Sequence, residues 1–216
     1  MRSFNLQDLL ALLEALKWTV ALVAAALALG GPLALGLSLM RTGKASVPRM
    51  VSTAFLEIVQ GIPLLGLLMF FYFGIPVFLG FDLPALAAVG IAYAIYTAAF
   101  LGDIWRGGIQ AIKHAQWEAA ACLGITRWQQ FRYVIAPQAF RIALPATVGF
   151  LVQLIKNTSL ASVVGFVELA RAGQIASAGT FQPLLIYSVV AAIYFAICFP
   201  LTSWSRKLEA RLNGAH

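Results

Sequence analysis

Five long, uninterrupted apolar runs constrain this chain more than any other feature. They lie at about 18–40, 52–73, 83–105, 142–165 and 183–203. Each is long enough to cross ~30 Å of hydrocarbon as a helix rising 1.5 Å per residue. The runs are continuous rather than alternating, which is not the strand pattern of a membrane barrel. Only 11% of residues are charged and 61% are hydrophobic, whereas soluble domains run near ~25% charged. One core in 216 residues could not hide so much apolar surface, so lipid must solvate most of it. The expectation is an all-α polytopic membrane protein, a single domain over 1–216 with about five transmembrane helices. The first run is as long as a span and follows Arg2, Asp8 and Glu14. It is therefore expected to be a retained helix rather than the short core of a signal peptide.

The connections alternate in charge. The first carries Arg41, Lys44 and Arg49; the second, "GIPVFLGFDLP", carries no Lys or Arg. The third, about 106–141, carries Arg106, Lys113, Arg127, Arg132 and Arg141, and the C-terminal tail carries Arg206, Lys207 and Arg211. Eleven of the fifteen Lys and Arg thus fall on one side. Arg2, Lys17 and Arg171 fall on the other, with Glu168 offsetting Arg171, and Lys156 lies inside a run. The positive-inside rule then puts the N-terminus outside and the C-terminus in the cytoplasm. The net charge of +7 reads as basic loops facing anionic head groups, not as a nucleic-acid surface, because no soluble basic domain exists to carry one. Cys122 and Cys198 lie in different settings; neither a disulfide nor a metal site is expected, and both read as small buried hydrophobes.

The long third connection holds "WEAAACLGITRWQQFRYVIAPQAFRIALP". Glu118 to Leu123 are mostly good helix formers, and Gly124 is a stop signal. Glu118 suits the positive end of a helix dipole. The reading is a short helix with a slim face made by Ala119, Ala120 and Ala121. Trp128 to Val134 reads as a second helix, and Pro137 and Pro145 punctuate the approach to the fourth run. Physics alone leaves two uses open: a docking surface, or an amphipathic loop lying on lipid.

"EAAACLG", followed nine residues later by "VIAP", resembles the EAA loop of the permease subunits of ABC importers. Glu118, Ala119, Ala120, Gly124 and Pro137 match that pattern. Val134 replaces its Ile conservatively, and Ala136 stands where the family has Leu, a departure that loosens local packing. "EIVQGIPLL", "LGDIWRGGIQAI" and "QLIKNTSLASVVGFVEL" are similar to further segments of polar amino-acid permeases, covering roughly 55–170 in order. The resemblance implies type I importer architecture with 106–141 as the cytoplasmic coupling loop. It implies two permeases, identical or different, forming the pore in a bacterial inner membrane. It also implies two ATPases docked on the EAA loops and a periplasmic or lipid-tethered binding protein that delivers an amino acid. No cofactor is expected in this chain; ATP-Mg belongs to the ATPase. A P-loop needs G-x-x-x-x-G-K-[ST], and the nearest fragment has Ser38 for the first Gly and Ala45 after the Lys.

Charged groups are costly at membrane depth, about 2.5–3.5 kcal/mol at a helix centre. Glu57 and Gln60 lie in the second run beside Gly61 and Pro63, which can bend a span and free carbonyls. Asn157, Thr158 and Ser159 follow Lys156 in the fourth run. One reading makes these five a substrate pathway, with Glu57 meeting an ammonium group. The other makes Glu57 and Lys156 a structural pair, or lets Lys156 snorkel. By resemblance, the family has Asp at 157 and Arg at 60, so Asn157 and Gln60 favour neutral or acidic amino acids over basic ones. Asp103 and Arg106 read as a surface salt bridge, and Trp and Tyr as an interfacial belt. A membrane enzyme lacks support, since His114 and His216 are isolated and no carboxylates cluster. The remaining alternative is a self-contained channel or scaffold without an ATPase partner.

Overall fold

The computed structural model describes residues 4–81 and 83–213; Arg2 and His216 lie outside them. Every regular element among the described residues is helical: α1 (Leu6–Thr42), α2 (Ser46–Gly61), α3 (Leu64–Leu79), α4 (Ala85–Gln110), α5 (His114–Cys122), α6 (Arg127–Ser162), α7 (Leu169–Thr180) and α8 (Pro183–Asn213). Four of them, α1, α4, α6 and α8, are long and apolar enough to cross a membrane. The pair α2 and α3 meets the same test together but is bent by 99°.

The helices differ from the runs in instructive ways. α1 begins twelve residues before the run at 18–40 because Asn5 and Asp8 form a reciprocal capping box. The run at 52–73 is not one straight span. Pro63 disfavours a helical conformation at Ile62, which is extended (φ −95°, ψ 128°). The run at 142–165 starts fifteen residues too late, since α6 is continuous from Arg127, so the second half of the 106–141 stretch is helix. Pro137 does not stop α6. Residues Gln130–Ile135 are wound as a π-helix, and the Ala136 N–H reaches back to the Phe131 carbonyl. That wider turn accommodates a proline, which lacks an N–H and crowds the carbonyl four residues earlier. The same arrangement recurs at Phe70–Gly74, two residues before Pro76.

α4 is the central post. It contacts α1, α2, α3 and α6, while α8 packs against α6 and α7. Of α4's most apolar window 67% is buried, against 17% for α8, so α8 leaves most of its surface for lipid or another chain. Leu22, Leu68, Val89, Tyr93, Leu101 and Leu154 fill the core around α4. Small residues let the backbones meet, as in other membrane bundles. A Cβ on Gly30 of α1 would sit 2.5 Å from the Ala94 carbonyl oxygen, and one on Gly108 would sit 2.8 Å from that of Ala139.

Candidate functional site

Glu57 and Gln60, in the last turns of α2 before its break with α3, are both exposed. Gln60 Nε2 donates to the Ala99 carbonyl of α4 at 3.4 Å. The Glu57 carboxylate has no hydrogen bond or ion pair among the described residues, and Lys156 is exposed and not paired with it. One turn of α4 away from Ala99, Tyr96 Oη accepts from Asn157 Nδ2 at 3.3 Å and from Gln153 Nε2 at 3.4 Å. Tyr93 Oη donates to the Asn157 carbonyl at 2.6 Å. Gln60 and Asn157 therefore hang from neighbouring turns of one helix, roughly 4.5 Å apart along its axis. Tyr96, Phe100 and Phe150 stack beside them with centroids 4.4–6.0 Å apart.

Thr158 and Ser159 behave differently from Asn157. α6 tightens to a 3₁₀-helix over Thr158–Ser162. Thr158 is fully buried and its hydroxyl donates to the Ile155 carbonyl at 2.7 Å. Ser159 Oγ donates to the Lys156 carbonyl at 2.7 Å but stays partly exposed. The structure thus ties Gln60 and Asn157 to α4, leaves Glu57 exposed and Ser159 partly exposed with no hydrogen bond to either of them, and buries Thr158. Tyr93 and Tyr96, which orient Asn157, lie in the middle of the run at 83–105, where the general reading of Tyr as an interfacial belt does not apply.

The second candidate region is α5. Trp117 packs against a cluster of Ile109, Ile112, Ile135 and Ala139, and Ala120 on the same helix is nearly inaccessible. Glu118, Ala119 and Ala121 face outward, so Ala120 is an anchor and not part of the exposed slim face. Cys122 is exposed too, unlike the buried Cys198, and both are free thiols. His114 Nδ1 lies 3.0 Å from Glu118 Oε1. Gly124 ends α5 in the left-handed region (φ 69°), where a side chain is strained. Thr126 then caps α6 in a reciprocal box with Gln129. Pro137 is exposed on α6, just past the π turn. At the same end of the bundle, Asp103 Oδ1 accepts from Arg41 at 2.8 Å as well as from Arg106 at 2.9 Å. The i,i+3 pair is thus also a tie between α1 and α4.

The sequence reading missed a polar node at the opposite end. Glu168 is fully buried. Its carboxylate accepts from the Ala170 and Arg171 N–H groups at 3.0 and 2.9 Å, from Tyr194 Oη at 2.9 Å and from Thr19 Oγ1 at 3.5 Å. Thr19 Oγ1 in turn accepts from the Leu169 N–H at 3.2 Å. One carboxylate caps α7 and joins it to α1 and α8. The signal was present, since an acidic residue preceded a short Ala-rich run, but its distant partners were not readable. Among the described residues no group of three His, Cys, Asp or Glu could hold a metal ion.

A bundle of long apolar helices with one broken pair, and a short helix packed at one end, defines a polytopic membrane protein. Residues 30–214 match the family described as binding-protein-dependent transport system inner membrane component, and the chain belongs to that family. It is 35% identical over 205 residues to the glutamine transport system permease protein GlnP of Escherichia coli (strain K12), covering 94% of this chain and 93% of that one. It is 34% identical over 182 residues to the probable amino-acid ABC transporter permease protein YckA of Bacillus subtilis (strain 168), covering 84% and 80%. A solved amino acid ABC transporter with histidines superposes with a TM-score of 0.85 at 30% identity, over 97% of this chain and 100% of that chain. The MetNI methionine transporter shares the fold, with a TM-score of 0.71 at 20% identity over 94% of each chain. Family and fold together favour a permease subunit of an ABC importer over a self-contained channel or scaffold.

Proposed function

We propose that this permease carries an amino acid across a bacterial inner membrane by alternating access, driven by ATP-Mg hydrolysis in a separate ATPase. The chain itself is a transport subunit and performs no chemistry. The N-terminus lies outside and the C-terminus in the cytoplasm, in keeping with the basic residues near α5. A second permease, identical or different, covers the face that holds Glu57, Gln60 and Asn157. Polar groups at membrane depth are costly against lipid, so an exposed face carrying them fits a partner and a pathway better than hydrocarbon. Within that pathway Glu57 meets the substrate's ammonium, while Gln60, Asn157 and Ser159 offer amides and a hydroxyl. Thr158 supports the turn behind them. A binding protein delivers the substrate from outside.

The observation that carries the reading is the build of α5. Its inner side is fixed by Trp117 and Ala120, and its outer side leaves Glu118, Ala119 and Ala121 free. A rigid, slim and anchored helix can pass a push from a docked ATPase into α4 and α6, because access states must differ in their contacts with the partner. Gly124 sets the end of that lever, and Pro137 lies within α6 behind it. The test is the purified complex with its ATPase and binding protein in vesicles. Glu118→Lys should leave the complex assembled but remove the rise in ATP hydrolysis caused by liganded binding protein. A disulfide probe at Ala119 should trap the ATPase; failure of both would refute docking through α5. Relatives named for glutamine and cystine make those amino acids the first ligands to try.

A further inference from the structure

A groove of about 270 Å³ runs between α1, α4 and α6, lined by Leu35, Trp105, Ile109, Ala136, Phe140 and Ala143. Nothing in the transport reading uses it. Two polar side chains also border the groove, and both are satisfied within the protein. Ser38 Oγ donates to the Leu35 carbonyl at 2.8 Å, and Trp105 Nε1 donates to Thr147 Oγ1 at 3.1 Å. No lining side chain is left to bond a polar ligand, so the groove suits hydrocarbon. From Ala136 to Ala143 it follows α6 for about 10 Å, a large part of one leaflet's ~15 Å of hydrocarbon. Phe140 at its edge is 64% exposed, so the groove opens at the surface of the chain.

No basic residue lines the groove itself, but two arginines stand about one turn beyond residues that do. Arg132 lies four residues before Ala136 in the π-wound segment, and π winding keeps residues four to five apart on one face. Arg132 is exposed and has no carboxylate partner among the described residues; its guanidinium carbon lies 5.9 Å from the centroid of the Tyr133 ring. One turn beyond Ser38 on α1 stands Arg41, which shares the single carboxylate of Asp103 with Arg106. That trio retains one net positive charge. An apolar slot with the unpaired guanidinium of Arg132, and the net positive charge of the Arg41–Asp103–Arg106 trio, one turn beyond its lining matches one kind of amphiphile.

We infer that this groove binds an anionic phospholipid of the cytoplasmic leaflet, with an acyl chain along α6 and the phosphate facing Arg132. The leaflet assignment rests on the orientation proposed above; the binding itself does not. A lipid held here would wedge α1 against the base of the segment that carries α5. Guanidinium groups supply the charge-assisted hydrogen bonds that phosphate oxygens accept.

The intact complex in phosphatidylcholine vesicles tests this by tryptophan quenching. Brominated phosphatidylglycerol is titrated in, with brominated phosphatidylcholine as the comparison, both present in both leaflets. Subtracting the same titration of Trp105→Phe isolates Trp105. Trp105 should be quenched at a lower fraction of phosphatidylglycerol than of phosphatidylcholine. Arg132→Gln should raise that fraction about fivefold, and Ala136→Leu, which fills the groove, should abolish the quenching of Trp105 by either lipid. Equal quenching by the two lipids, an unchanged titration in Arg132→Gln, or no quenching of Trp105 at all would overturn the site. The last result would mean that a protein segment fills the groove. The measurement does not depend on transport or ATP hydrolysis, so its failure would leave the transport reading intact, and failure of ATPase coupling would leave this site intact.

Discussion

Glu57, inside α2, and Glu168, the residue that caps α7, carry the same side chain, and the fold treats them in opposite ways. Glu168 has no accessible surface and meets four donors from three helices. Glu57 is exposed and meets none among the described residues. A buried carboxylate with all its partners is a rivet. A carboxylate left without partners on an exposed face is, in the reading proposed above, held ready for substrate. On that reading saturation of hydrogen bonds, rather than residue type, separates scaffold from site.

The most forceful way to break that contrast is to remove the rivet. Glu168→Ala would leave Tyr194, Thr19 and two N–H groups of α7 without their acceptor. The expected loss is about 3 kcal/mol or more, read as a fall in the melting temperature of the detergent-purified complex. Glu57→Ala should move that temperature by no more than a surface substitution does, about 0.5 kcal/mol. If both variants melt alike, the distinction between the two carboxylates fails.

The converse effect belongs to transport. Glu57→Gln keeps shape and removes charge. The expected loss is that of one charge-assisted hydrogen bond, about 1.5–3 kcal/mol, or roughly ten- to hundredfold in apparent substrate affinity. It should appear as a higher KM for uptake into vesicles, with basal ATP hydrolysis and melting temperature unchanged. An unchanged KM would remove Glu57 from the pathway.

A smaller effect tests whether the node acts as a unit. Thr19→Val would leave the Leu169 N–H without its acceptor and cost about 1–2 kcal/mol of stability. Combined with Tyr194→Phe, the loss should fall short of the sum, because both hydroxyls serve one carboxylate. Strict additivity in thermal melts would show that the hydrogen bonds around Glu168 are independent.

What could be read in advance follows the range of the forces. The long apolar runs announced the helical, membrane-spanning class, because a span is a local property of some twenty residues. Gly61 and Pro63 announced a bend for the same reason, and Gly124 a helix end. The capping box at Asn5 and Asp8 was readable too, as an Asn three residues before an Asp at the head of an apolar stretch. The π turns before Pro76 and Pro137 were not readable. Proline signals a break in soluble helices, but within a bundle a wider turn carries the chain past it. Ala120 and Ala119 differ only in which way the helix turns, and that is fixed by the contact of Trp117 with Ile109 and Ile112. The partners of Glu168, 149 residues away at Thr19 and 26 away at Tyr194, depend on tertiary packing. So does the tie between Arg41 and Asp103, of which the sequence disclosed only the Arg106 half.

Asn157 gives the finest test of the contrast, because it is partly satisfied and partly exposed. Its carbonyl is held by Tyr93, and its amide nitrogen reaches Tyr96 at 3.3 Å. Asn157→Asp preserves size and exchanges the donor for an acceptor, which Tyr96 can serve by turning its O–H around. Stability should therefore change little. The new negative charge stands near Gln60 on the same stretch of α4, with no fixed cation among its hydrogen-bond partners. A solvent-accessible pair is worth about 1 kcal/mol at most, so uptake should shift toward lysine or arginine over glutamine by roughly fivefold. The measurement is competition between labelled amino acids at matched occupancy of the binding protein. No shift in preference would make Asn157 a continuation of the scaffold around Tyr93, and the boundary between rivet and site would then fall between Gln60 and Asn157 instead of behind Thr158.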